Sequence, residues 1–319
     1  MRAFQIDTYG EPPVLRDVPQ PEPGPGELRL KVAACGLNFA DLLMLKGQYQ
    51  ERPPLPFTLG MELAGTVEAL GADVAGPAVG TRVAAMGGSG GLAEQACVPA
   101  ARCVALPDAM SFPEAAAFQV AYGTSHVALH HRARLQPGET LLVLGAAGGV
   151  GLTAVEIGKL MGARVIACAR GAEKLKVAEA AGADHLIDSS SEDLRDAVKA
   201  LGGADVVYDP VGGGQFMSAL RATRPEGRLL TIGFASGETP QIPANLLLVK
   251  NLTVIGFYWG GYMAFRPEVL TDSLAQLFAW YSEGKLHPHV SNTLPLDKTE
   301  DGLALLRERK STGKVVITP

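Results

Sequence analysis

The strongest constraint on how this chain can fold is the run Leu141-Leu142-Val143-Leu144-Gly145-Ala146-Ala147-Gly148-Gly149-Val150-Gly151. Four apolar residues, short enough for a buried strand, pass through a turn of small residues into a segment that reads as a helix. Such a turn brings unpaired backbone N–H groups and the positive end of the helix dipole to one point, where a pyrophosphate can approach closely. Against the dinucleotide pattern GxGxxG, Ala146 takes the first glycine's place, while Gly148 and Gly151 keep the second and third. Ala147, Gly148, Gly149 and Val150 are therefore candidate phosphate-binding positions.

A glycine turn alone is weak evidence, because any tight strand-to-helix connection can require glycine. The sequence around it supplies the context. From Leu141 onward, apolar strands alternate with helical stretches: Leu141 to Leu144, Arg164 to Cys168, His185 to Ile187, Asp205 to Tyr208, Arg228 to Ile232 and Leu252 to Gly256. Six strands complete a doubly wound parallel sheet. Ahead of it, between Leu28 and about Leu106, short strands separated by Gly and Pro read as an irregular barrel. Pro19, Pro21, Pro23 and Pro25 precede it as an extended loop. Ser111-Phe112-Pro113-Glu114 reads as a capping box opening a helix into the second domain. After Trp259 come an amphipathic helix with Leu274, Leu277, Phe278 and Tyr281 on one face and a closing strand, Lys314 to Thr318. Neither has a place in a six-strand unit. The expectation is a barrel domain over 1–117 and 259–319, with an α/β nucleotide domain over 118–258 inserted between its two parts.

The composition excludes several classes. At 319 residues the chain exceeds what one core serves. No apolar run nears the ~20 residues of a membrane-spanning helix, so no membrane partner is expected. Asp7 interrupts the N-terminus where an export signal would continue, and a cytoplasmic address is expected. The net charge of −5 is spread out, which speaks against a nucleic-acid partner. Cys35, Cys97, Cys103 and Cys168 show no metal-ligand spacing, and His126, His130 and His131 lack an acid or Cys to complete a metal set, so packing is the expected role for both groups.

A dinucleotide site selecting NAD carries an acid at the end of its second strand, roughly 20 residues past the turn. Here that strand ends in Ala169-Arg170-Gly171, and Lys174 lies one helical turn on. Two cations suit an extra phosphate, at about 1.5 to 3 kcal/mol per charge-assisted hydrogen bond, and favour NADPH.

Gly36-Leu37-Asn38-Phe39-Ala40-Asp41, Gly60-Met61-Glu62-Leu63-Ala64-Gly65, the glycine turn and Gly313-Lys314-Val315-Val316-Ile317 together resemble the successive signature segments of the medium-chain dehydrogenase/reductases. The resemblance covers essentially the whole chain and implies a GroES-like barrel and a Rossmann domain. Where the zinc-dependent alcohol dehydrogenases carry a Cys and a His ligand, this chain has Asn38 and Met61, and the third ligand corresponds to about Ala116. The segment is instead similar to that of the zinc-independent quinone oxidoreductases. That resemblance implies NADPH as cofactor, a quinone or other conjugated carbonyl as substrate, and Asn38, Asp41 and Tyr49 as the catalytic set, with Asn38 also beside the nicotinamide carboxamide. It further implies cofactor contacts from Thr124, from Gly233, Phe234 and Ser236, from Phe257, Tyr258 and Trp259, and from Arg309 at the 2′-phosphate. Ser189 stands where some relatives place a Tyr near that phosphate. A homodimer paired through the sixth strand also follows from the resemblance. Two alternatives stay open: an enoyl thioester or α,β-unsaturated ketone reductase, and a non-catalytic, crystallin-like NADPH-binding protein.

Overall fold

A computed structural model describes all of residues 1–319. The chain divides into two compact units, one formed by Met1–Val120 with Pro288–Pro319 and the other by Ala121–His287.

In the first unit the strand Glu27–Gly36 organises a seven-stranded sheet. Its first half pairs with Gln95–Pro99, its far end with Lys314–Thr318, and nearly its whole length with Glu62–Leu70, all antiparallel. Val290–Pro295, Arg82–Met86 and Cys103–Ala105 complete the sheet. One strand serves three partners because its ten residues give one edge to Glu62–Leu70 and divide the other between Gln95–Pro99 and Lys314–Thr318, while buried Leu28, Leu30 and Val32 alternate with more accessible Arg29 and Lys31. A smaller sheet joins Val14–Asp17, Arg2–Ile6 and Phe57–Thr58. The closing strand returns to this unit as the sequence predicts, and the Pro19 to Pro25 segment joins no strand.

The second unit is a six-stranded parallel sheet in the spatial order His185–Asp188, Arg164–Ala169, Thr140–Leu144, Ala204–Asp209, Thr223–Thr231, Thr253–Gly256. Numbered along the chain this is 3-2-1-4-5-6, the doubly wound arrangement, whose switch point lies between Thr140–Leu144 and Ala204–Asp209. Those two strands are almost wholly buried, as strands covered by helices on both faces must be. The fifth strand begins at Thr223, five residues before the apolar run at Arg228. Glu226, at φ 64°, and the buried Gly227 carry the chain through a kink that the hydrophobic pattern does not encode.

The expected domain end at 258 falls inside this second unit. The helix Pro267–Ser282 buries Leu270, Leu274, Leu277 and Phe278. It is tied to a π-helical turn over Val127–Arg132 and the residue just before it: His126 Nδ1 lies 2.8 Å from Ser273 Oγ, and the His126 ring meets Trp280 edge-on at 5.3 Å. His126 also stacks on His130 at 5.2 Å, so these two histidines pack. Burial pushes the His126 pKa down to about 4, which leaves its ring neutral.

Candidate functional site

In the second unit, the carboxyl ends of the first and fourth strands carry two interlocked turns. Gly145 takes the left-handed conformation at φ 57°. Ala146, at the expected first glycine's place, is fully buried and donates its N–H to Cys168 O at 3.0 Å. The residue that needs glycine for the turn is thus one position earlier than the pattern suggests. Gly151 is needed for packing, since a Cβ there would stand 2.1 Å from Gly145 O. Gly148 caps the helix Gly149–Leu160 and has no side chain to offer its amides. The N–H groups of Gly149, Val150 and Gly151 therefore have no acceptor within the helix, and they sit at its positive end. A phosphate fits such a cradle, and a Cβ on Gly148 would meet only Gly145 O, at 3.3 Å.

Buried hydroxyls hold the cradle in place. Ser125 Oγ donates to Val150 O at 2.9 Å and lies 2.8 Å from Thr153 Oγ1 and 3.0 Å from Tyr208 Oη. Thr153 Oγ1 in turn donates to Ala121 O at 3.0 Å. Sequence reading missed this network, because Ser125, Thr153 and Tyr208 lie on three separate elements. Asp209 was missed too, although an acid just before Pro210-Val211-Gly212 is a turn signal. Its fully buried carboxylate accepts from Val211 N at 2.6 Å and Gly212 N at 2.9 Å, and burial pushes its pKa up to about 6. The turn it organises receives the loop after the fifth strand: Ala235 N donates to Pro210 O, and Ser236 N to Val211 O at 2.8 Å. Gly233, Phe234 and Ser236 are thereby carried to the switch point, and Val211 Cγ2 lies 3.1 Å from where a Cβ on Gly145 would be.

Arg170 follows the second strand, Lys174 lies in the first turn of the next helix, and Ser189 follows the neighbouring third strand. Arg170 is exposed and Lys174 half-buried, and Ser189 N donates to Ala169 O at 3.0 Å. One acid shares the place. Asp188 Oδ1 accepts from Gly171 N at 3.0 Å and from Ser190 N and Oγ, bonds that hold its carboxyl below the usual range. Two cations therefore stand against one carboxylate that already holds donors. Thr124 is buried beside Gly123, against which the Trp259 indole lies so closely that a Cβ would come within 2.8 Å of its Nε1. That indole N–H is buried without an acceptor. Phe257 contacts Tyr262 at 5.8 Å, and Tyr258 is exposed. Arg309 belongs to the other unit, after the helix Thr299–Arg307.

In the first unit, Asn38, Glu62 and Lys314 form a closed polar cluster. Lys314 Nζ donates to Glu62 Oε1 at 2.6 Å and to Asn38 Oδ1 at 2.7 Å. Asn38 Nδ2 donates to the same Glu62 oxygen at 2.9 Å and to Gly36 O at 3.3 Å. Glu62 Oε2 accepts from Val120 N at 3.0 Å. Both N–H bonds of the Asn38 amide are thus committed. Gly36 makes the cluster possible, since a Cβ there would stand 2.0 Å from Ala116 O.

Asp41 serves the helix Phe39–Leu45. Its Oδ2 reaches back to accept from Asn38 N at 2.7 Å, as the third residue of a capping box does, while Oδ1 is buried without a donor. Desolvation raises its pKa to about 7. Being fully buried, Asp41 supports the Asn38 backbone. Tyr49 is half-buried, packed against the core of Phe4, Ile6, Met44 and Met61. Met61 and Ala116, at two of the three zinc-ligand positions, are core side chains.

Comparison with known proteins gives a consistent result. The family described as "Alcohol dehydrogenase GroES-like domain" matches residues 24–108, and "Zinc-binding dehydrogenase" matches 149–276. The chain is 41% identical over 321 residues to quinone oxidoreductase-like protein 2 of Mus musculus, covering 99% of this chain and 92% of that protein. It is 36% identical to the synaptic vesicle membrane protein VAT-1 homolog of Homo sapiens, over 95% of this chain and 82% of that one. Among solved structures, the quinone oxidoreductase of Thermus thermophilus, also determined as its NADPH complex, superposes with a TM-score of 0.90 at 37% identity. The Escherichia coli quinone oxidoreductase complexed with NADPH superposes with 0.92 at 28% identity, and both comparisons cover 100% of each chain.

Proposed function

The chain is an oxidoreductase of the medium-chain dehydrogenase/reductase superfamily and belongs to its quinone oxidoreductase family, and on that premise we propose that it passes reducing equivalents from NADPH to quinones without zinc. The observation that carries the reading is the Asn38, Glu62 and Lys314 cluster, which occupies the zinc-ligand position with a closed set of hydrogen bonds. A catalytic zinc requires about three protein ligands. Asn38 has its nitrogen committed, and neither Met61 nor Ala116 supplies a ligand of the usual kind, so these residues do not fit the metal.

The residues do fit the dinucleotide. When bound, NADPH supplies the hydride. The amides of Gly149, Val150 and Gly151 hold the pyrophosphate, and Arg170 and Lys174 receive the 2′-phosphate, with Ser189 beside them. Gly233, Phe234 and Ser236 line the nicotinamide half, with Thr124, Phe257, Tyr258 and Trp259. The family resemblance adds Arg309 as a further contact to the 2′-phosphate. Asn38 is held rigid by Lys314 and Glu62. By the family resemblance Asn38 lies beside the nicotinamide carboxamide and the substrate oxygen, and Tyr49 lines the pocket. With no Lewis acid to polarise a carbonyl, the acceptor must be activated by its own conjugation, as a quinone is.

The homodimer belongs to the same reading. Thr253–Gly256 is an edge strand, and the neighbouring helix Ala244–Lys250 leaves Leu248 76% and Val249 67% exposed. Light scattering on the purified protein checks this, and a monomer at micromolar concentration refutes it. The substrate class is tested by offering 9,10-phenanthrenequinone, a simple enone and an enoyl thioester to the NADPH-loaded protein. Turnover of the quinone above the others supports the reading; turnover of the thioester alone replaces it with enoyl reduction, and none at all with a non-catalytic binder.

A further inference from the structure

The second unit carries another concentration of positive charge, on the edge of its sheet away from the glycine turn. In a parallel sheet all strands begin on one edge, and the glycine turn, Arg170 and Asp209 lie where strands end. Where Ala204–Asp209 and Thr223–Thr231 begin, the C-termini of the helices Leu194–Ala200, Gly213–Ala222 and Ala244–Lys250 meet. They surround a cavity of about 370 Å³ whose lining includes Lys199, Arg221, Arg224 and Lys250 and no carboxylate. A six-residue strand separates the two edges by roughly 20 Å at about 3.3 Å per residue, so this cavity cannot share a phosphate with the cradle.

Two of the four cations are accounted for within the fold. Arg224 Nη1 pairs with Asp205 Oδ2 at 2.6 Å, and its Nε donates to Gly202 O at 2.7 Å. Lys250 Nζ donates to Leu220 O at 3.3 Å and Arg221 O at 3.2 Å, closing the end of its neighbouring helix. Lys199 and Arg221 are exposed and have no carboxylate partner. Each lies in the last turn of its helix, where the dipole favours a cation. The dipole explains one cation at each helix end. It does not explain why three such ends direct their cations at one concavity, close enough that burial and the charge of Lys199 push the Lys250 pKa down. Like charges held together around an open volume repel until an anion stands between them.

We propose that this cavity binds a small phosphorylated molecule bearing at least two negative charges, gripped by Lys199, Arg221 and Lys250. The planar guanidinium of Arg221 matches two phosphate oxygens at once, and the two ammonium groups act as point charges beside it. The concavity is open to solvent, so its cations fix the charge of what binds there.

Inorganic pyrophosphate is the probe. It is titrated calorimetrically, at constant ionic strength, into protein already saturated with NADPH, so that the cradle is filled and any binding reports a second site. We expect one pyrophosphate per chain, with affinity weakened about tenfold or more in the Lys199→Ala/Arg221→Ala double variant. Both side chains are exposed, so the variant should keep its fold, and an unchanged NADPH affinity verifies this. Absence of saturable binding to the NADPH-saturated wild type overturns the proposal, as does binding that survives in the double variant.

Discussion

Lys314 and Glu62, 252 residues apart in the chain, meet as a buried ion pair with 2.6 Å between Nζ and Oε1. Lys314 is 6% exposed and Glu62 1%. The pair links two strands of the seven-stranded sheet, Lys314–Thr318 and Glu62–Leu70, and fixes the Asn38 amide between its two members. Removing one partner leaves the other charge buried alone, which costs about 3 to 5 kcal/mol. Lys314→Met should therefore lower stability by about that amount in urea unfolding, and Glu62→Gln/Lys314→Met should recover most of it. Equal losses in the single and double variants would mean that the pair contributes packing and little charge.

The two glycines of the cradle should separate folding from binding. A Cβ on Gly151 would stand 2.1 Å from a backbone oxygen, so Gly151→Ala should destabilise the second unit by about 2 kcal/mol or more. On Gly148 the nearest atom is at 3.3 Å, so Gly148→Ala should cost about 1 kcal/mol or less while weakening NADPH about tenfold or more, because the added methyl takes up the phosphate's space. Thermal melts and NADPH fluorescence titrations measure the two effects. A Gly148→Ala protein that binds NADPH normally would remove the pyrophosphate from this turn.

Arg170 bears on cofactor choice. Arg170→Ala should weaken NADPH about tenfold to a hundredfold, the equivalent of one charge-assisted hydrogen bond, and leave NADH affinity nearly unchanged. Competition binding with the two cofactors reads this directly. Parallel losses for both would assign Arg170 a structural role.

Asp41 sets a pH dependence of definite sign. Its folded pKa is raised from 3.8 to about 7, chiefly by burial, so the folded state holds the proton more tightly than the unfolded chain does. The associated stability is complete below about pH 4 and is lost as the pH rises through about 7. Asp41→Asn should remove this fall and be the more stable protein near pH 8, by on the order of a few kcal/mol. Urea unfolding of both proteins at about pH 5 and 8 tests it, and parallel pH profiles would contradict it. His126 works in the opposite direction: its lowered pKa costs stability as the pH falls below about 6.5. The comparison with Asp41→Asn therefore isolates one group.

The parts of this molecule that depend on neighbours along the chain were legible in its sequence. The strand-turn-helix at Gly145 and the capping box at Ser111 each rest on residues within a few positions of one another. The parts closed by distant contacts were not. Glu62 sits inside a recognisable segment, yet nothing near it announces Lys314. The Ser125, Thr153 and Tyr208 hydroxyls carry no local pattern. The end of the second unit at His287 depends on Ser273 and Trp280 reaching His126, which no periodicity in the helix Pro267–Ser282 specifies. Asp41 shows the remaining difficulty, since a signature position reads alike whether its carboxylate acts on a substrate or, as here, holds the backbone of Asn38.

Metal-free, NADPH-selective quinone reduction is measured by the initial rate of reduced-nicotinamide oxidation by 9,10-phenanthrenequinone with chelator-treated protein, NADPH and NADH in parallel. Turnover should be unchanged by the chelator and about tenfold or more faster with NADPH at low cofactor concentration. Activity that disappears in chelator and returns with zinc, or a preference for NADH, would contradict it.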